Sequence, residues 1–305
     1  MSRHVAVLMG GWSAERAVSL ASGAEVAKAL AECGHRVTMI DVRRDLSSLL
    51  AALTPKPDVV FNALHGRGGE DGCVQAVLEF LGVPYSHSGV LASAVAMDKP
   101  MTKQVLAAVG VPSPRGVVLR REEVGTCHPL PPPYIVKPVD EGSTVGVTLV
   151  EVGDSPFLNA DQWTFGERVM VEAFIPGREL TVGVMDDRAL AVTEIRFSGG
   201  LFDFTAKYTA GHAHHVIPAP LPVEVYSEAQ RLAVLAHRTL GCRGVSRSDF
   251  RYDDSRPGVE GLFFLEINTQ PGMTPLSLVP EQAAHVGVSY HELVNWIVEH
   301  AVCPA

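Results

Sequence analysis

Four polar side chains near the C-terminus carry the densest chemistry in the sequence. They fall in two apolar-rich runs, residues 244–252 and 262–268, that read as strands. Side chains alternate between the faces of a strand, so Arg247 and Asp249 share one face while Phe250 and Tyr252 share the other. Glu266 and Asn268 likewise share a face, opposite Leu265 and Ile267. A hairpin turning through residues 253–261 lays Asp249 near Glu266 if its register is roughly symmetric. Two carboxylates about 4 Å apart repel by about 4 kcal/mol at an effective dielectric of about 20, a cost that a bound cation turns into a gain. Carboxylate and amide oxygens suit magnesium better than zinc. An ordinary solvated polar face would use the same residues.

Three loops add to this set. Lys137 ends an apolar run and is followed by Asp140-Glu141-Gly142-Ser143-Thr144-Val145-Gly146. Small residues there let backbone N–H groups approach phosphate oxygens beside a neutralising lysine, although the loop is not a Walker A sequence and a plain turn looks similar. His65-Gly66-Arg67-Gly68-Gly69-Glu70-Asp71-Gly72 packs three glycines between a histidine and two acids, as a tight ligand-facing loop does. Gly10-Gly11-Trp12-Ser13-Ala14-Glu15-Arg16 lacks GxGxxG, which argues against a dinucleotide site. Glu15 there could bind an ammonium group or serve the helix dipole. His212, His214 and His215 lie in an aperiodic segment without cysteine, a poor setting for zinc.

The apolar pattern predicts the elements that position these groups. Residues 5–9 form a short strand ending at Gly10, and helical spacing follows over 14–30. Strands at 37–42 and 59–64 alternate with helices at 46–53 and about 74–81. Such alternation predicts a parallel sheet covered on both faces, with ligands at the carboxyl ends of strands, where the loops after Met9 and Leu64 lie. The pattern changes after about Met97. A helix over 99–109 stops at Gly110 before Pro112 and Pro114, and residues 129–133 (PLPPP) form a stiff connector. Strands are expected at 134–137, 145–150, 169–175, 180–185 and 189–195. Residues 197–215 fit no period and are long for a loop in a compact domain. A helix over 224–240 precedes the late strand pair, a Pro/Gly-rich loop follows it, and a helix over about 290–300 closes the chain.

Composition sets the outer bounds. The chain has 305 residues, 47% hydrophobic and 19% charged, the make-up of an ordinary globular protein of about two or three domains. Its net charge of −9 argues against nucleic acid or an anionic membrane as the main partner, since such surfaces need a basic excess. Five widely spaced cysteines without a CxxC pair form neither a disulfide framework nor a thiolate metal site and suit a reducing cytosol. The short apolar run at the N-terminus is a strand and not a signal peptide, and the longest charge-free stretch, residues 80–97, is interrupted by Gly82, Pro84 and Gly89. A soluble cytoplasmic protein is expected.

Taken together, the segments resemble the D-alanine–D-alanine ligases of the ATP-grasp superfamily, over almost the whole chain. GGWSAERAVSL, HGRGGEDG, MDK at 97–99, IVKPVDEGSTVG, AKY at 206–208, RSDF at 247–250 and LEINTQPGMTPLSL at 265–278 occur in the family's order. The resemblance implies an α/β (α+β) ATP-grasp fold with a Rossmann-like parallel-sheet domain over residues 1–96. A central subdomain over 97–178 and a catalytic subdomain over 179–305 would follow. It also implies ATP-dependent joining of two D-alanines through a D-alanyl phosphate. By position, Lys99, Lys137 and Lys207 would contact ATP phosphates, with Ser143 and Thr144 in the phosphate loop. Glu172, Phe174 and Ile175 would lie along the adenine, and Glu179 would bind the ribose. Asp249, Glu266 and Asn268 would hold two magnesium ions, replaceable by manganese, with Glu266 bridging them.

On the same basis Glu15 would bind the ammonium of the first D-alanine, linked through Ser143 to Tyr208, with His65 close by. Arg247 and the Gly272 N–H would stabilise the tetrahedral oxyanion, and Ser277 and Leu278 would receive the second D-alanine. The segment 197–215 would close over the acyl phosphate and exclude water. Homodimers are expected by analogy. Trp12 is bulkier than expected near the first D-alanine, and Ala173 stands where some relatives carry Lys. Alternatives are a ligase making D-alanyl-D-lactate or D-alanyl-D-serine, which Tyr208 disfavours, another ATP-grasp ligase, a non-catalytic sensor and an NAD-dependent dehydrogenase. A pure sensor has no need of the full set Arg247, Asp249, Glu266 and Asn268.

Overall fold

The structure, a computed structural model, describes residues 2–125, 127–142, 146–155, 163–197 and 213–304. Strands β1 (His4–Gly10), β2 (Arg36–Val42) and β3 (Val59–Asn62) form a parallel sheet in the order β2-β1-β3. Apolar side chains at consecutive positions bury both faces of β1 and β3, as parallel sheets require. Val5, Val7 and Phe61 face helices α1 (Arg16–Glu32) and α8 (Tyr290–Glu299). Ala6, Leu8 and Val60 face α2 (Leu46–Ala52) and α3 (Cys73–Phe80). The last helix therefore completes the core around the first strand.

Helix α4 (Val90–Met97), which the apolar pattern does not predict, is followed by α5 (Lys99–Ala107). Ala92 and Ala96 bury one side of α4 in the core of the C-terminal half. Glycine and proline earlier in the same charge-free stretch had masked its start at Gly89. The Asp98 carboxylate caps α5 by accepting from the Met101 N–H, and Pro100 occupies the first turn, where its missing N–H costs nothing.

A second sheet, β4-β7-β5-β6, is antiparallel: β4 (Gly116–Arg120), β5 (Tyr134–Pro138), β6 (Thr148–Val150) and β7 (Arg168–Ala173). Val136, Trp163 and Val171 fill its core. The edge strand β4 escaped the sequence reading because it is nowhere fully buried. The third sheet, also antiparallel, runs β10-β9-β8-β11-β12: β8 (Arg178–Met185), β9 (Arg188–Phe197), β10 (Ala213–Val216), β11 (Val245–Tyr252) and β12 (Leu262–Asn268). Helix α6 (Val223–Thr239) packs one buried stripe, Val225, Ala229, Leu232 and Ala236, onto it. Two expectations are corrected here. The end of the segment 197–215 is a strand paired with β9, and the Pro/Gly-rich stretch contains α7 (Leu278–His285). Pro280 is tolerated there because it sits in the first turn.

Candidate active site

The hairpin of β11 and β12 has the register expected from the sequence at its polar residues, but a bulge after Asp249 skips Leu265, which lines a cavity beside Glu266 and not the opposite face. Asp249 lies opposite Glu266 and Arg247 opposite Asn268. The Arg247 guanidinium donates to both Asp249 oxygens, Nε to Oδ1 at 2.9 Å and Nη2 to Oδ2 at 2.8 Å. Thr181 on β8 donates its hydroxyl to Oδ1 at 2.6 Å. Lys99 Nζ, at the first residue of α5, stands 3.4 Å from Glu266 Oε2. Asn268 Oδ1 accepts from the Gln270 N–H at 2.8 Å. Two carboxylates and an amide oxygen on one face, met by an arginine and a lysine, make a donor set suited to a hard divalent cation. Among the described residues no three His, Cys, Asp or Glu side chains form a metal cage. The amide of Asn268 is thus needed to complete a three-donor set.

This face opens into a cavity of about 250 Å³ shared with the carboxyl ends of the parallel strands. Glu15 enters it at the N-cap of α1 and makes no side-chain cap hydrogen bond, which leaves its carboxylate facing the cavity. Burial, reinforced by Glu70 and Glu266 and opposed by His65 and Arg247, raises its carboxyl to about 7. His65 follows β3 and is fixed from both sides, its Nδ1 3.0 Å from Glu70 Oε1 and its Nε2 3.4 Å from Ser22 Oγ. A Cβ on Gly142 would come within 2.5 Å of Glu15 Oε2, so any larger residue there would push the Glu15 carboxylate aside. The phosphate loop and Glu15 therefore touch.

A second cavity, about 100 Å³, lies between the two antiparallel sheets. Glu172, Ala173, Phe174 and Ile175 form one wall, and Lys137, Glu179 and Glu266 also line it. Glu172 is buried and bridges two ammonium groups, Lys103 on one oxygen and Lys137 on the other. Burial opposes its ionisation, but the two lysines prevail and hold it at about 2. Burial in turn lowers Lys103 to about 8. Lys99 also donates to the Glu141 carbonyl, so α5, the phosphate loop and β12 meet at one ammonium.

Most of the expected residues thus converge. Gly272 and Leu278 line the first cavity. Ser277 sits just behind, at the N-cap of α7, its hydroxyl accepting from the Thr274 N–H at 3.0 Å. Ser143, Thr144, Lys207 and Tyr208 lie outside the described residues, as does most of the segment 197–215. Trp12 is corrected: it packs against Gly68, where a Cβ would meet its ring at 2.2 Å, and lines an outer groove with Leu46 and Val74 and not the central cavity. His215 hydrogen-bonds Glu281.

Lys103, Arg251 and Thr181 also meet these residues and carry no motif of their own, whereas Glu70 belongs to the loop after His65 already read as ligand-facing. Lys103 is four residues beyond Lys99, one helical turn along the same face. Arg251 is two residues beyond Asp249, on the same face of the strand by simple alternation.

Two antiparallel sheets enclosing a lysine-lined cleft, with paired carboxylates at its end, define the ATP-grasp class of ligases. Comparison with known proteins narrows this. Residues 106–299 match the family model described as D-ala D-ala ligase C-terminus, and residues 46–88 match D-ala D-ala ligase N-terminus. The D-alanine–D-alanine ligase of Chelativorans sp. (strain BNC1) is 56% identical over 306 residues, covering 99% of each chain. That of Rhodospirillum rubrum is 55% identical over 308 residues, covering 100% of each chain. Among solved structures, the D-alanine–D-alanine ligase of Bacillus anthracis complexed with ATP superposes with a TM-score of 0.82 at 30% identity, covering 98% of this chain and 97% of the other. The D-Ala:D-Ser ligase VanG of Enterococcus faecalis gives a TM-score of 0.80 at 28% identity, covering 98% and 99%. The chain belongs to the D-alanine–D-alanine ligase family.

Proposed function

We propose that this protein joins two D-alanines at the expense of ATP, as an ATP-dependent carbon–nitrogen ligase supplying D-alanyl-D-alanine for peptidoglycan precursors. The observation that carries the reading is the continuity of the two cavities. Glu266 lines both, so a nucleotide phosphate at Lys99 and Lys137 would lie beside an amino acid held by Glu15. The first carboxylate would attack the terminal phosphate, releasing ADP. The amino group of the second D-alanine would then attack the acyl phosphate, and phosphate would leave. Arg247 and Gly272 line the first cavity, where the guanidinium and the Gly272 N–H would act as fixed donors on the charge developing at the tetrahedral carbon. Asp249, Glu266 and Asn268 would hold two magnesium ions, for which manganese can substitute. Those ions would neutralise phosphate charge and polarise the transferred phosphoryl group. Glu172, Phe174, Ile175 and Glu179 would take the adenosine, and Ser277 and Leu278 the second substrate. Ser143, Thr144, Lys207 and Tyr208 complete the proposal from the motifs they belong to.

The subdomains would divide at residues 96 and 178, as the three sheets suggest. A cytoplasmic location fits the ATP requirement, and no helix among the described residues is long and apolar enough to cross a membrane. A homodimer is supported by two apolar side chains in the first half, Phe80 at the end of α3 and Leu91 in the first turn of α4, 95% and 75% exposed. Light scattering of the purified chain tests this, a monomeric mass at micromolar concentration being the contrary result.

The likeness to a D-Ala:D-Ser ligase makes the acceptor the sharpest question about substrate. With D-alanine, D-serine and D-lactate supplied together, mass analysis should find D-alanyl-D-alanine as the main product. A predominance of D-alanyl-D-serine would move the chain to the other branch.

Glu15 supplies a pH prediction. Its folded-state carboxyl titrates near 7, and only the carboxylate can bind an ammonium. The KM for the first D-alanine should therefore rise about tenfold per unit as pH falls below 7, with KM for ATP moving less. A D-alanine KM that is flat from pH 8 to 5.5 would remove Glu15 from that role.

A further inference from the structure

Arg251 is almost fully buried, 5% exposed, yet lines the cavity between the sheets. Its guanidinium makes a fork onto the connector between β7 and β8. Nε donates to the Ile175 carbonyl at 3.0 Å and Nη2 to the Gly177 carbonyl at 2.9 Å. Nη1 lies 3.9 Å from Glu179 Oε2, and the plane stands over the Phe174 ring at 5.8 Å.

A connector leaving one sheet for another has carbonyls that no ladder satisfies, and buried carbonyls need donors. One planar cation here satisfies two of them, two residues apart, while its charge is balanced by Glu179. Lysine cannot do this, because its single ammonium does not reproduce the fork. The connector so fixed, residues 174–177, carries the side chains that wall the nucleotide cavity.

We infer that Arg251 is a positioning residue for nucleotide recognition: it locks the connector 174–177 in the conformation that reads the purine base. This rests on the proposal that the cavity takes ATP. Removing the fork frees the connector, so nucleotide affinity falls while the amino-acid site and the carboxylate hairpin stay in place. The Gly177 backbone adds a second constraint, since a Cβ there would meet the Tyr252 carbonyl at 2.2 Å. The connector is therefore also pressed against the strand that carries Arg251.

The test compares wild type, Arg251→Met and Arg251→Lys by steady-state kinetics and by the rise in melting temperature that saturating ATP produces. KM for ATP should rise about ten- to hundredfold in Arg251→Met, the worth of one or two charge-assisted hydrogen bonds. The KM for D-alanine should stay within about twofold and kcat within about threefold. Arg251→Lys should recover less than half of the loss, because the fork and not the charge is required. Should Arg251→Met fail to melt cooperatively, Arg251→Lys alone decides. A KM for ATP within twofold of wild type in the folded variant, or equal losses for ATP and D-alanine, would overturn the inference. Absence of an ATP-induced shift in wild type itself would instead overturn the ATP reading.

Discussion

Replacing Glu266 by glutamine is expected to abolish ATP-dependent ligation while leaving the fold intact. Glu266 lies opposite Asp249 in the hairpin register and faces Lys99. It also lines both cavities, so it stands between the proposed nucleotide and the proposed amino acid. Glutamine keeps its size but removes one negative charge and turns one acceptor oxygen into an NH2 donor, so it cannot serve as a bridging ligand. Metal-centred charge stabilisation is worth several kcal/mol, so turnover should fall by at least about 10³. Phosphate release under saturating ATP and D-alanine measures this, and an unchanged melting temperature shows that the fold survives. Turnover within tenfold of wild type would mean that Glu266 does not hold the metals.

Arg247→Ala should act on the rate and not on nucleotide binding. The guanidinium is held in one orientation by both oxygens of Asp249 and so is preorganised, which is the condition for effective oxyanion stabilisation. Removing such a donor lowers kcat by roughly 10²–10³. The substitution also frees Asp249 of its cation, which would strengthen and not weaken a metal ligand there, so KM for ATP should stay within about threefold. Arg247→Lys keeps the charge but loses the fork and should recover only part of the loss. An effect confined to KM would make Arg247 a binding residue.

The sequence was most informative where chemistry and periodicity coincide. Strand alternation, with a roughly symmetric hairpin assumed, put Asp249 near Glu266, and the antiparallel register of β11 and β12 bears this out. The parallel strands were legible because burial on both faces leaves nearly unbroken apolar runs, as in Val59–Asn62. Elements escaped when the pattern was diluted. Edge strand β4 alternates only between partial and full exposure. Helices α4 and α7 begin within stretches whose glycines and prolines read as loops, although proline at the third helical position is no obstacle.

At the site, the family motifs supplied names for residues proposed to touch a substrate but not for those that hold such residues still. Lys103 and Arg251 fall just outside the motifs MDK and RSDF, and each is reached by one more period of its own element. Glu15 shows the opposite case. Its type and place near a helix start allowed a dipole role, and only its burial beside Glu70 and Gly142 separates the two readings. The apparent intrusion of Trp12 dissolves once Gly68 is seen to receive its ring.

The central claim is that one continuous site couples ATP cleavage to D-alanine. Its most direct test is phosphate release from ATP with magnesium, measured with D-alanine, with L-alanine and with no amino acid, and followed by mass detection of the product. Release is expected with D-alanine alone, matched in amount by D-alanyl-D-alanine. Equal phosphate release in all three mixtures, or ATP binding without turnover in any of them, would contradict it.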